Sequence, residues 1–241
     1  MQTVSNATVI FDLNDTLIKN SVYFREIKKN IAGQLLKLSL VNNKKDFTTD
    51  RLIHVFDSFE IKNIKAGRKP GYENFRISLI QACYDILQYD FIQCKMYDFI
   101  DLQVSHVVNR PVELIDDAKD VLSYLYNKNY RLFIVSKGNK QEQAKKIKEG
   151  GIDHFFEDII FLPNKDAENY SHFVNLYNID INRAYMVGNS PKSDINPAKR
   201  IGMKTFFIKN ENTWEYEHDE ILLKEPGTII IDKISNLKDF L

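Results

Sequence analysis

Four apolar runs in this chain stop at, or just before, residues that can do chemistry. Val9-Ile10-Phe11 runs into Asp12, residues 131–135 end at Ser136, residues 158–161 are followed by Lys165, and residues 184–187 lead through Gly188 to Asn189, Ser190 and Asp194. The composition of these runs is that of strands buried on both faces. In a parallel sheet such strand ends share one edge, the edge at which open α/β folds bind ligands. That edge would hold a carboxylate, a hydroxyl, an ammonium, an amide and a second carboxylate. Ser136 and Lys165 suit the oxygens of a phosphoryl group, where charge collects during transfer. Asp12 and Asp194 are hard oxygen donors, and Mg²⁺ needs only one or two carboxylates because it keeps several waters. Asp12 could also attack phosphorus and carry the group as an aspartyl-phosphate.

The elements that must position these residues show as an alternation. Helical patterns at residues 118–126, 141–149 and 170–177, and from Pro197, separate the apolar runs, and further runs follow at 204–208 and 228–231. Strands alternating with helices predict an α/β fold with a doubly wound parallel sheet. Between the first and second strands lies a block of helical periodicity, carried by Tyr23, Ile27, Ile31 and Leu35, then Leu52, Val55, Phe56 and Phe59, then Phe75, Leu79, Cys83 and Leu87. A breaker at residues 66–71 divides it. The expected division is a core of residues 1–19 and 109–241, with a helical insertion of residues 20–108 above the sheet edge.

Phe-Asp-Leu-Asn-Asp-Thr-Leu at 11–17, Val-Ser-Lys-Gly-Asn at 135–139, Lys165, and Val-Gly-Asn-Ser-Pro-Lys-Ser-Asp at 187–194 resemble, in this order, the motifs of the haloacid dehalogenase-like (HAD) hydrolase superfamily. The resemblance spans nearly the whole chain. It implies a Rossmann-like core with an α-helical cap inserted after the first motif, and Mg²⁺-dependent hydrolysis of a small phosphorylated metabolite. It implies that Asp12 is the nucleophile and that Asn14 offers its backbone carbonyl to Mg²⁺. Ser136 and Lys165 would bind the phosphate, and Asn189 and Asp194 would hold the cation. Lys137, beside Ser136, faces either the phosphate or solvent. The stretch Trp214-Glu215-Tyr216-Glu217-His218 resembles a loop of one phosphatase-like branch and carries no assigned role.

Two positions depart from the family pattern. Position 14 is normally Asp, which protonates the leaving oxygen and then activates water; Asn14 has neither a proton to give nor a base to offer. Loss of a general acid/base costs roughly 10²–10⁴-fold in rate. Asn14 is therefore an engineered substitution, the mark of a slow or degenerate phosphatase, or the mark of a binding module on an enzyme scaffold. Asp15, adjacent to it, should point elsewhere. Position 189 is usually Asp; its amide oxygen can still ligate Mg²⁺ but brings no charge. The expected activity of the chain as written is weak phosphomonoester hydrolysis. The alternative is a non-catalytic module that binds a phosphometabolite or a protein partner.

Composition narrows the partners. Lys plus Arg and Asp plus Glu number 33 each in 241 residues, so no net field draws the chain to nucleic acid or anionic lipid. No apolar run approaches the ~20 residues that span a bilayer, and no signal-peptide pattern opens the chain, so a cytoplasmic location is expected. Two cysteines, Cys83 and Cys94, are too few for a disulfide framework and read as reduced, packed thiols. His54, His106, His154 and His172 show no metal-ligand spacing, and Lys140, Lys145, Lys146 and Lys148 read as a solvated helix face.

Overall fold

The computed structural model describes residues 7–38, 47–88, 90–222 and 227–241. They form two compact units, the described parts of Met1–Ser21 with Val112–Leu241, and of Val22–Pro111. The second unit is helical: α1 (Ser21–Lys37), α2 (Thr49–Lys65), α3 (Tyr72–Leu87), the single turn α4 (Asp90–Gln93) and α5 (Met96–Val108). Residues three and four apart on each helix share a face. Ile27, Ile31 and Leu35 of α1, Leu52 and Phe56 of α2, Phe75, Leu79 and Cys83 of α3, and Ile100 and Val104 of α5 thus meet in one core. Inside this unit Lys28 is buried, with its Nζ 2.5 Å from Asp57 and 3.1 Å from Glu60, so its charge is matched across α1 and α2.

In the first unit six strands make one parallel sheet: β1 (Thr8–Phe11), β2 (Arg131–Ser136), β3 (Asp158–Phe161), β4 (Ala184–Gly188), β5 (Lys204–Ile208) and β6 (Thr228–Ile231). Their order is β3-β2-β1-β4-β5-β6, the Rossmann-like α/β architecture expected. Side chains alternate between faces along a strand, and here both faces are covered. Val9, Phe11, Leu132, Ile134 and Val187 pack with α6 (Ala118–Asn127), α7 (Lys140–Glu149) and the C-terminal turn. Ile10, Phe133, Val135 and Met186 pack with α8 (Ala167–Leu176) and α9 (Asn196–Arg200). Burial on both sides is why these strands read as continuous apolar runs.

Two helix starts differ from the sequence expectation for capping reasons. α8 begins three residues early because the Asp166 carboxylate accepts the Asn169 N–H at 2.9 Å. α9 is preceded by a π-helical turn, Pro191–Ile195, capped by the Ser190 hydroxyl, which accepts the Ser193 N–H at 2.9 Å. Among the described residues no helix is long and apolar enough to cross a membrane.

Both cysteines are free thiols, and burial pushes the Cys83 thiol up to about 12. A thiol reagent at about pH 8 should therefore modify Cys94 in the native protein and reach Cys83 only after unfolding. Two fast-reacting thiols in the native state would show that the helical core is open.

Candidate active site

Backbone register assembles the site before any side chain is considered. Phe11 pairs with Ile134 of β2 on one side and Val187 of β4 on the other. Asp12 is therefore level with Val135 and Gly188, and Ser136 and Asn189 stand one residue further on either side of it. β1 is the strand at which the chain order reverses, where diverging loops leave a crevice. The Asp12 N–H donates to the Val187 carbonyl at 2.9 Å and extends the ladder past the strand. The chain then turns tightly, with Asp15 at φ 61°. The Asp15 carboxylate accepts the Asn20 and Ser21 N–H groups at 3.0 and 2.8 Å, so it organises the start of α1 and not the chemistry.

Lys165, from the β3–α8 loop, is 6% exposed and donates to Oδ1 of Asp12 and, at 2.8 Å, to Oδ1 of Asp194. Burial alone would favour loss of the Lys165 proton; the two carboxylates outweigh it and hold the ammonium well above the usual lysine range. Burial pushes the Asp194 carboxyl up, against the pull of Lys165. Asp194 reaches this position from the π-helical turn, and its Oδ2 accepts the Ser190 N–H at 3.0 Å. The carboxylate crosses directly over Gly188, where a Cβ would lie 2.3 Å from Asp194 Oδ2. Only glycine leaves room for that acid.

Thr16 completes the oxygen cluster. Its hydroxyl lies 3.2 Å from Asp12 Oδ2 and 3.2 Å from Asn189 Oδ1. Asn189 Nδ2 donates to Thr213 Oγ1 at 3.3 Å, which leaves the amide oxygen on the Thr16 hydroxyl. Among the described residues no three Asp, Glu, His or Cys side chains converge. A cation here would rest on two carboxylates and neutral oxygens, a donor set that fits Mg²⁺.

The remaining expected residues lie around this centre. Ser136 is buried at the end of β2, with its hydroxyl 3.3 Å from the Lys137 carbonyl. Lys137 donates to Ser193 Oγ at 2.7 Å and pairs with Glu217. Asn14 Oδ1 accepts from Lys146 Nζ at 3.1 Å, and Lys146 also donates to Asn20 Oδ1 at 2.7 Å. Lys146 is thus not part of a solvated face with its neighbours; it shares the inner face of α7 with buried Gln143 and Ile147, and that spacing was the available signal. Thr16 and Glu217 were also missed as partners, although each lies inside a motif already singled out.

A parallel sheet whose switch strand ends in a carboxylate, bridged by a buried lysine to a second acid, defines a hydrolase core of the haloacid dehalogenase type. Residues 9–208 match the family described as haloacid dehalogenase-like hydrolase, and the chain belongs to that family. It is 32% identical over 206 residues to the glyceraldehyde 3-phosphate phosphatase of Pyrococcus abyssi, spanning 83% of this chain and 80% of that protein. A haloacid dehalogenase-like family hydrolase from Xanthomonas campestris shares the fold with a TM-score of 0.77 at 21% identity, over 96% of this chain and 93% of that one. The HAD-hydrolase YfnB of Bacillus subtilis, solved bound to magnesium, gives a TM-score of 0.64 at 18% identity over 98% and 99% of the two chains.

Burial lowers the Lys146 ammonium to about 8, against the opposing pull of Glu142, Asp15 and Asp12. The folded state then releases this proton before the unfolded state does, so stability relative to a Lys146→Met variant should rise between about pH 8 and 10.5. The full gain is on the order of 3 kcal/mol, read from urea unfolding of both proteins across that range. Parallel pH profiles would mean that Lys146 is solvated.

Proposed function

We propose that this chain is a Mg²⁺-dependent phosphatase acting on a small phosphomonoester through Asp12. The observation that carries the reading is the Lys165 ammonium held between Asp12 and Asp194 at the switch point of the sheet. The name of the Pyrococcus abyssi relative supports a phosphorylated three-carbon aldehyde as the first substrate to try.

Lys165 holds and aims Asp12, so a carboxylate oxygen can attack phosphorus as the ester P–O bond breaks. Ser136 and Lys165 would orient the phosphoryl oxygens. Mg²⁺, when held by Asp12, Asp194, Asn189 Oδ1 and the Asn14 carbonyl, would offset the charge that develops on those oxygens. Asn14 can donate a hydrogen bond to the leaving oxygen but no proton, so that proton comes from water. Hydrolysis of the aspartyl-phosphate likewise proceeds without a base at position 14. Turnover is slow for both reasons.

The amide at position 14 also favours a second reading: a catalytically degenerate module that binds a phosphometabolite or a protein partner without turnover. Phosphate release from glyceraldehyde 3-phosphate and a panel of small esters separates the two. Asn14→Asp should raise Mg²⁺-dependent turnover at least about tenfold, and Asp12→Asn should abolish it. Binding of esters with no release by the Asn14→Asp protein would establish the second reading instead.

A further inference from the structure

Apart from the contact of Thr213 with Asn189, the segment from Thr213 to Glu217 has no role in the chemistry described above, yet it is fastened to the loops that carry it. The Glu217 side chain is 13% exposed and that of Lys137 is 26% exposed, so their ion pair is largely removed from water. One Glu217 oxygen accepts from Lys137; the other accepts from the hydroxyls of Ser190, at 2.7 Å, and Ser193. Lys137 also donates to Ser193 Oγ, and Ser190 Oγ accepts the Ser193 N–H, which closes the network. Each member of this set is hydrogen-bonded to at least two others. Although burial works against its charge, Lys137 and the two serine hydroxyls hold the Glu217 carboxyl below the usual range. The segment is pinned elsewhere too: Lys192 donates to the Tyr216 carbonyl at 3.0 Å, and Thr213 receives the Asn189 amide.

The two loops joined here do different work. Lys137 follows Ser136 directly, in the loop after β2. Ser190 caps, and Ser193 lies within, the turn after β4 that presents Asp194, whose own N–H bonds the Ser190 carbonyl at 2.9 Å. No backbone ladder links these loops, because β1 lies between β2 and β4. Past the strand ends, where the ladders to β1 stop, side chains can hold the two loops together.

We propose that Glu217 is a positioning residue: its carboxylate clamps the loop carrying Ser136 to the turn carrying Asn189 and Asp194, and so sets the spacing between the phosphate-orienting and cation-holding parts of the site. Lys137 serves this clamp and not the phosphate. The functional part of this inference rests on the phosphatase reading; the clamp itself does not.

The test uses the full chain with Glu217→Ala, Glu217→Gln, Lys137→Met and the combined Glu217→Gln/Lys137→Met substitutions. Amide hydrogen exchange needs no turnover. In Glu217→Ala, exchange should rise at least about tenfold in residues 136–139 and in residues 189–194, while β1 and the helices α1 to α3 keep their protection. Unchanged exchange in either segment overturns the clamp. Calorimetric titration with Mg²⁺ supplies the second readout, with affinity expected to fall at least about fivefold in Glu217→Ala. The combined variant should lose less than the product of its single losses, because a neutral pair leaves no charge uncompensated. Multiplicative losses would make Glu217 and Lys137 independent and overturn the pairing. A protein that releases phosphate from no ester defeats the phosphatase reading, and the exchange result still decides the clamp.

Discussion

The buried ammonium of Lys165 is the interaction on which the site depends. Two carboxylates, Asp12 and Asp194, converge on it with little water present, and without a cation their repulsion and desolvation would cost several kcal/mol. Lys165 makes the approach tolerable but does not neutralise it. One ammonium faces two carboxyl groups among further oxygen atoms, a donor set that suits a divalent cation. The fold pays for this arrangement with the sheet: register places Asp12, Gly188 provides the space for Asp194, and the capped start of α8 brings Lys165 in from the far side.

Around that centre the protein has met two unusual residues with orientation. Asn189 brings no charge, but Thr16 and Thr213 bracket its amide and direct the oxygen inward. Asn14 brings no proton, and the Lys146 ammonium engages its carbonyl oxygen, leaving the NH₂ group as the donor available to a ligand.

How much of this was legible beforehand follows from the physics of each element. The strands were legible because burial on both faces leaves an unbroken apolar signature, and Val9-Ile10-Phe11 ending at Asp12 is the clearest case. The helices of the second unit were legible because Ile27, Ile31 and Leu35 repeat at helical spacing. Asp12, Ser136, Lys165 and Asp194 could be grouped because parallel strands share an edge. What stayed hidden depended on side chains crossing between remote segments. Nothing in the run around Lys146 distinguishes it from Lys145, except that it falls on the face of Gln143 and Ile147. Glu217 lies 80 residues from Lys137, and no local pattern announces that pairing. The helix was expected from Pro197, and the π-helical turn before it stayed hidden because residues 191–195 carry no apolar periodicity of their own.

In the function proposed above, the Asp12 carboxylate, held by Lys165, is a nucleophile aimed at a phosphoryl group. Beryllofluoride mimics that group when a carboxylate captures it beside Mg²⁺, and fluorine NMR of the protein with both is the most direct measurement. The expected result is a bound resonance that requires Mg²⁺ and disappears in the Asp12→Asn protein. A resonance that survives that substitution, or no bound species in the unsubstituted chain, would contradict it.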